Sequence, residues 1–244
     1  GQWIAGAEII GYDSKRFSGV KLLAALDHLK PVTFCAPPTV YRNMICEDMS
    51  AYDLSSIHHF CSAGEPLNPE IIERIRAVTG QEIYEGFGQS ETTVILANFG
   101  WDPIKYSSTG KPSPLYHIDL IDSDGESCED GIVGSIVIKD TDIAHPTGLF
   151  REYAHNPAAM AEAWKGGTYN TMDTAWRDSD GYFWFEGRND DVIKCSGYRI
   201  GPFEVESVLQ THPAVLECAV TAVPDPMRGQ VVKATIILNR GYTP

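Results

Sequence analysis

Between Ser18 and Tyr84, capped helical stripes alternate with short apolar runs, and this alternation constrains the fold more than any other feature of the sequence. Ser18 precedes a stripe of Val20, Leu22, Leu23, Leu26 and Leu29, and Pro31 closes it. Val32-Thr33-Phe34-Cys35 reads as a strand, a second helix follows Pro37-Pro38, and Ile57 to Ser62 reads as another strand. Asn68-Pro69-Glu70 joins a capping side chain, proline at the first helical position and an acid in the first turn. Ile71, Ile72, Ile75 and Val78 give that helix its buried face, Gly80 stops it, and Glu82-Ile83-Tyr84 opens the next strand. A chain built this way folds into a mostly parallel sheet covered by helices.

From about Lys105 the texture changes. Leu115 to Asp122 and Gly134 to Lys139 read as strands, and Asp180-Gly181 marks a hairpin between Thr168–Trp176 and Tyr182–Phe185. After Arg188 it changes again. Gly201-Pro202 opens a helix carrying Phe203, Val205, Val208 and Leu209, and strands at Leu216–Val223 and Val231–Leu238 follow. The reading is an α/β chain in three parts. Residues 1–104 form a helix-covered, mostly parallel sheet fragment, 105–189 a small antiparallel β subdomain, and 190–244 the start of an incomplete α+β domain.

Charge excludes some functions. Asp plus Glu (33) exceeds Lys plus Arg (19), for a net charge of −14. That balance opposes sequence-independent nucleic-acid binding, while leaving a small anion at a locally arranged site open. No apolar run approaches the roughly 18 residues a membrane-spanning helix needs. The six cysteines are scattered without zinc-like spacing and read as reduced thiols of a cytoplasmic protein.

Three stretches carry chemistry. Tyr84-Glu85-Gly86-Phe87-Gly88-Gln89-Ser90-Glu91-Thr92-Thr93 follows a strand. Its glycines let backbone approach a ligand, its hydroxyls and amides suit phosphate, and Glu91 suits a magnesium ion shared with nucleotide phosphates. Alone, such a loop is more often a plain turn. In Tyr169-Asn170-Thr171-Met172-Asp173, a strand-end aspartate suits ribose hydroxyls, and equally a turn or cap. The run from Gly187 to Glu206 sets three cations and the adjacent Asp190 and Asp191 around a Ser-Gly turn. It suits phosphate and a hinge, and equally a solvated linker.

Together and in order, GFGQSETT, YNTMD, GRNDDVIKCSGYRIGPFEVE and HPAVLECAVTAVPDPMRGQVVKA resemble the adenylate-forming superfamily, with short- and medium-chain acyl-CoA synthetases the nearest in flavour. The resemblance implies the following roles. Gly64-Glu65-Pro66 and Glu85-Gly86-Phe87 enclose adenine, with Phe87 stacked on the ring. Gln89 and Ser90 lie at the α-phosphate, and Glu91 holds magnesium. Asp173 and Arg188 hold the ribose, in a motif where the family's Thr-Gly-Asp is here Thr-Met-Asp. Asp190 is a hinge, Gly197 lies in a turn that approaches CoA, and Arg199 serves the phosphates. Ser90, Glu91 and Arg199 would carry the catalysis. Gly88 stands where acetate-restricted members have tryptophan, which opens the acyl pocket to medium-chain or aryl acids.

The implied substrates are a carboxylic acid, ATP (released as AMP) and CoA, with Mg2+. The family's phosphate loop and its catalytic lysine are expected to lie outside the 244 residues, so the isolated piece is expected to be inactive. Two other readings remain: an adenylation domain that loads a carrier protein, and a non-catalytic nucleotide-binding module.

Overall fold

The computed structural model describes residues 5–12, 17–65, 67–189, 191–239 and 241–243. The chain divides into two compact units, one of residues 1–86 with 99–107 and the other of residues 87–98 with 108–244.

In the first unit, local sequence chemistry sets the helices. Helix α1 (Gly19–Leu29) is capped by Ser18 and ends on Lys30 in the left-handed region. Helix α2 (Pro38–Ile45) starts on its own proline. In α3 (Pro69–Thr79) Asn68 Oδ1 accepts the Glu70 amide at 2.9 Å, and Gly80 closes the helix at φ 70°. Strands β1 (Thr33–Cys35), β2 (His59–Ser62) and β3 (Ile83–Gly88) pair in parallel, as the alternation requires. The core between helices and sheet is built on Leu23, Tyr41, Met44, Phe60, Ile71 and Ile75.

Two stripe assignments need correction. Val20, Leu29 and Val78 are exposed at 45%, 44% and 43%. At about 100° per residue, α1 centres its buried arc on Leu22, Leu23 and Leu26, and Val20 falls outside it. Leu29 and Val78 lie in the last turns of their helices, where the packed face runs out.

The second unit is dominated by antiparallel pairing. Strand β4 (Val94–Ala97) pairs with β5 (Lys111–Pro112). A second sheet runs β10-β9-β7-β6, from β6 (Ile118–Ile121), β7 (Gly134–Ile138), β9 (Thr168–Arg177) and β10 (Phe183–Arg188). A short helix α4 (Pro157–Ala163) and strand β8 (Trp164–Lys165) lead into β9. The β9–β10 hairpin turns at Asp180-Gly181, where Asp178 N–H donates to the Tyr182 carbonyl at 2.9 Å and Gly181 takes φ 82°.

The last sheet has the order β12-β11-β14-β13, from β11 (Ile193–Cys195), β12 (Tyr198–Ile200), β13 (Val215–Asp225) and β14 (Gly229–Leu238). Helix α5 (Pro202–Gln210) packs on β13, and Glu206 Oε1 accepts the Val220 amide at 2.7 Å. Val208 does not join the packed face. It is 68% exposed, while Phe203, Val205 and Leu209 are half-buried. No described helix is long and apolar enough to cross a membrane.

Candidate functional site

Within the second unit, the end of β3 and the loop after it meet the far end of β9. Gln89 to Thr92 form a tight turn: the Gln89 amide donates to Thr92 Oγ1 at 2.9 Å, and the Thr92 amide to the Gln89 carbonyl at 3.2 Å. Ser90 is exposed at the apex of this turn and Glu91 is half-buried behind it. Phe87 packs in the unit's core beside Phe185, ring centroids 5.7 Å apart.

The turn leaves no room for a side chain at Gly88. A Cβ there would lie 2.3 Å from the Thr93 carbonyl oxygen. Close backbone approach therefore requires glycine at this position, independently of any acyl pocket.

The Gln89 amide ties the loop to β9. Its Nε2 donates to Asp173 Oδ2 at 2.6 Å and to the Thr171 carbonyl at 2.7 Å. Its Oε1 accepts the Tyr169 hydroxyl at 2.9 Å. Asp173 is itself buried (5% exposed) and stands directly opposite Arg188 in the β9–β10 register. Two residues read from separate stretches of sequence thus become cross-strand neighbours, with Arg188 exposed at the edge of the pair. Met172, between them and Thr171, takes φ 64°. That left-handed backbone is where the family's glycine belongs.

Glu91 accepts the Tyr153 hydroxyl on Oε1 at 2.9 Å. Among the described residues its other carboxylate oxygen has no protein partner, and no cluster of three metal-ligating side chains occurs. This donor set fits a hard cation that takes one protein carboxylate and completes its shell with nucleotide oxygens and water. Burial, then the bond to Glu91, raises the Tyr153 phenol above its ordinary range, and burial raises Tyr169 as well.

The remaining sequence-derived residues fall into other groups. In the first unit, Gly64 takes φ 101° in an open turn. Glu65 accepts from the Thr39 hydroxyl (2.6 Å) and amide (3.1 Å), and pairs with Arg42 at 3.0 Å. Burial works against its charge, but Thr39 and Arg42 hold Glu65 below the usual carboxylate range. Glu85, one strand over, is 5% exposed and accepts the Leu67 amide at 3.2 Å. Burial pushes its carboxyl up to about 8. Gly86 is half-buried beside it.

Gly197 sits with Ser196 in the two-residue turn joining β11 to β12, both at positive φ (86° and 50°), away from the Gln89 cluster in the sequence of elements. Pro66, Asp190 and the Arg199 side chain lie outside the described residues. Sequence reasoning assigned no role to Tyr153 or Tyr169. Tyr169 heads the Tyr-Asn-Thr-Met-Asp stretch, whereas nothing local marks Tyr153.

Residues 2–153 match the AMP-binding enzyme family, and residues 204–244 match the AMP-binding enzyme C-terminal domain. The chain belongs to the AMP-binding enzyme family. Among its relatives, mouse mitochondrial acyl-coenzyme A synthetase ACSM3 is 45% identical over 240 residues, which is 98% of this chain and 41% of the relative. Human mitochondrial acyl-coenzyme A synthetase ACSM5 is 44% identical over 241 residues, 99% of this chain and 42% of the relative. The chain thus spans about two fifths of the length of the curated relatives it matches.

Solved CoA ligases share the fold. The anthranilate CoA ligase AuaEII, in complex with anthranoyl-AMP, superposes with a TM-score of 0.84 at 33% identity, over 93% of this chain and 43% of its own. A benzoate CoA ligase from Burkholderia xenovorans LB400 gives 0.80 at 33% identity, over 94% and 45%.

Proposed function

We infer that the protein carrying this chain is an AMP-forming acid–CoA ligase. It would join a carboxylic acid to ATP as an acyl-adenylate with loss of pyrophosphate, and then pass the acyl group to CoA with release of AMP. The observation that carries this reading is the single hydrogen-bonded cluster formed by Gln89, Asp173 and the turn bearing Ser90 and Glu91, with Arg188 across from Asp173. The cluster sets a ribose-type carboxylate beside a phosphate-type turn in a chain whose relatives are named as acyl-CoA synthetases.

In the first step the acid's carboxylate oxygen attacks the α-phosphorus and pyrophosphate leaves. Positioning and charge neutralisation dominate such a transfer between anions. Asp173 and Arg188 would fix the ribose, Gln89 would hold Asp173, and the exposed Ser90 would face the α-phosphate. Gly64-Glu65-Pro66 and Glu85-Gly86-Phe87 would enclose adenine. Mg2+ on Glu91 would supply charge neutralisation at the phosphate oxygens. In the second step the CoA sulfur attacks the acyl carbon and AMP leaves, with Gly197 in the turn that approaches CoA and Arg199 serving the phosphates.

Residues 190–244 would form the start of a small mobile domain hinged at Asp190, after the α/β part of a large domain at 1–104 and its β subdomain at 105–189. A medium-chain or aryl acid is the proposed substrate, a reading supported by the likeness to an anthranilate and a benzoate CoA ligase. The relatives' names read mitochondrial. They lend no support to the cytoplasm, so a fluorescent fusion of the full-length protein is needed to place it.

Acid-dependent exchange of labelled pyrophosphate into ATP by the full-length protein tests the first step. Exchange that appears only with acid present supports it, and exchange without acid, or none with any carboxylic acid, contradicts it.

A further inference from the structure

Two tyrosine hydroxyls join the groups proposed to hold the nucleotide. Tyr153 O–H donates to Glu91 Oε1 and Tyr169 O–H to Gln89 Oε1, each at 2.9 Å. From Gln89 the chain continues to Asp173 at 2.6 Å. Two links therefore hold the two carboxylates, one from Tyr153 to Glu91 and the other from Tyr169 through Gln89 to Asp173.

The donor and acceptor roles in these links are forced. Asp173 Oδ2 and the Thr171 carbonyl only accept, so the Gln89 NH2 group faces both and its Oε1 faces Tyr169. Tyr169 must then donate. An ionised Glu91 only accepts, so Tyr153 must donate there. The rings are locked: Tyr169 is 1% exposed, and it packs on Phe150 at 5.5 Å and Trp164 at 5.4 Å, while Tyr153 packs on Phe150 at 4.6 Å. Phe150 is pinned in turn, its amide donating to the Glu91 carbonyl at 2.7 Å. A wall of aromatic rings thus fixes two hydroxyls, each donating its one proton to a fixed acceptor.

We propose that Tyr153 and Tyr169 are positioning residues of the adenylation step: Tyr153 orients Glu91 toward the cation, and Tyr169 orients Gln89 and through it the ribose-holding Asp173. This rests on the functional reading above. Without the Tyr153 hydroxyl, Glu91 keeps its charge and gains rotational freedom, so it loses cation affinity first. Without the Tyr169 hydroxyl, Gln89 Oε1 is left unpaired beside a buried ring, the amide turns, and Asp173 loses its fixed orientation.

The test is pyrophosphate exchange by full-length Tyr153→Phe and Tyr169→Phe variants over a range of Mg2+ and ATP concentrations, with Glu91→Gln and Asp173→Asn as references. Phenylalanine keeps the packed ring, and melting temperatures check that the fold survives. The expected result is a half-saturating Mg2+ concentration raised about tenfold in Tyr153→Phe, the size of one hydrogen bond to a charged group, and a KM for ATP raised about fivefold in Tyr169→Phe at saturating Mg2+, the size of one between neutral groups. A merely structural role would lower the melting temperature and the active fraction without moving either concentration dependence. If Glu91→Gln shifts the Mg2+ dependence and Tyr153→Phe does not, or Asp173→Asn shifts the ATP dependence and Tyr169→Phe does not, that tyrosine's role is overturned alone. If the reference variants shift neither dependence, the functional reading falls and the proposal falls with it.

Discussion

Gln89 holds Asp173: its side-chain amide donates to the buried carboxylate at 2.6 Å, across 84 residues of sequence. That bond brings the glycine-rich loop and the β9 aspartate into one cluster. Replacing Gln89 with alanine removes a donor from Asp173 and a partner from the Tyr169 hydroxyl. ATP binding by the full-length protein, measured by calorimetry, is expected to weaken about tenfold, since a hydrogen bond to a charged group is worth about 1.5–3 kcal/mol. Gln89→Glu is expected to weaken it further, because it sets a second carboxylate against the first. Unchanged affinity in both variants would remove Gln89 from the site.

Met172 occupies left-handed backbone at φ 64°. The strain of a side chain there costs about 1–2 kcal/mol, and glycine's greater freedom in the unfolded chain offsets part of it. Met172→Gly is expected to raise stability by about 0.5–1 kcal/mol, a melting shift of about 1–4 °C for a chain of this size. Met172→Val is expected to lower it, since a branched β-carbon tolerates positive φ least. A thermal melt on both variants checks the pair, and a stabilising valine would contradict the backbone argument.

Glu85 is buried with its carboxyl pushed up to about 8. Its folded state therefore keeps a proton that the unfolded state releases near its ordinary value of about 4.3. Stability from this group is complete below that lower value and is lost as pH rises toward and through 8. Glu85→Gln keeps an acceptor for the Leu67 amide without the charge. The variant is expected to gain stability relative to the parent between about pH 5 and pH 8, read from paired melting curves. A gap that stays constant with pH would show that Glu85 does not titrate in this window.

Gly88 has the Thr93 carbonyl where a Cβ would stand, at 2.3 Å. Gly88→Ala is expected to destabilise the protein by about 1–3 kcal/mol, the range for forced overpacking, and to disturb the Ser90–Glu91 turn with it. A tryptophan introduced there to close the acyl pocket would therefore lower turnover on every acid. Loss of long acids alone, with acetate use intact, would show that the loop can shift to admit a side chain.

The legible parts of the fold were those fixed by local chemistry. Asn68, Pro69 and Gly80 mark both ends of α3 within a dozen residues, and Asp180-Gly181 sets the β9–β10 hairpin. The buried arc of α1 was harder, because Val20 and Leu29 share its period but lie beyond the packed face. Strands β11 and β12 escaped notice: each has three residues, too few for an alternation to declare itself, and only their Ser196-Gly197 turn was visible. The site showed the same division. The loop and Asp173 could be found by motif, but their joining by Gln89 and the two tyrosines depends on contacts 62 to 84 residues apart, which no local pattern encodes.

The most direct test is CoA-dependent AMP release by the full-length protein on acetate, butyrate, hexanoate, octanoate and benzoate. The expected result is AMP and acyl-CoA in equal amounts, formed only when acid, ATP and CoA are all present, with turnover rising beyond propionate-sized acids. ADP in place of AMP, or AMP release that ignores both acid and CoA, would contradict the ligase reading at its centre.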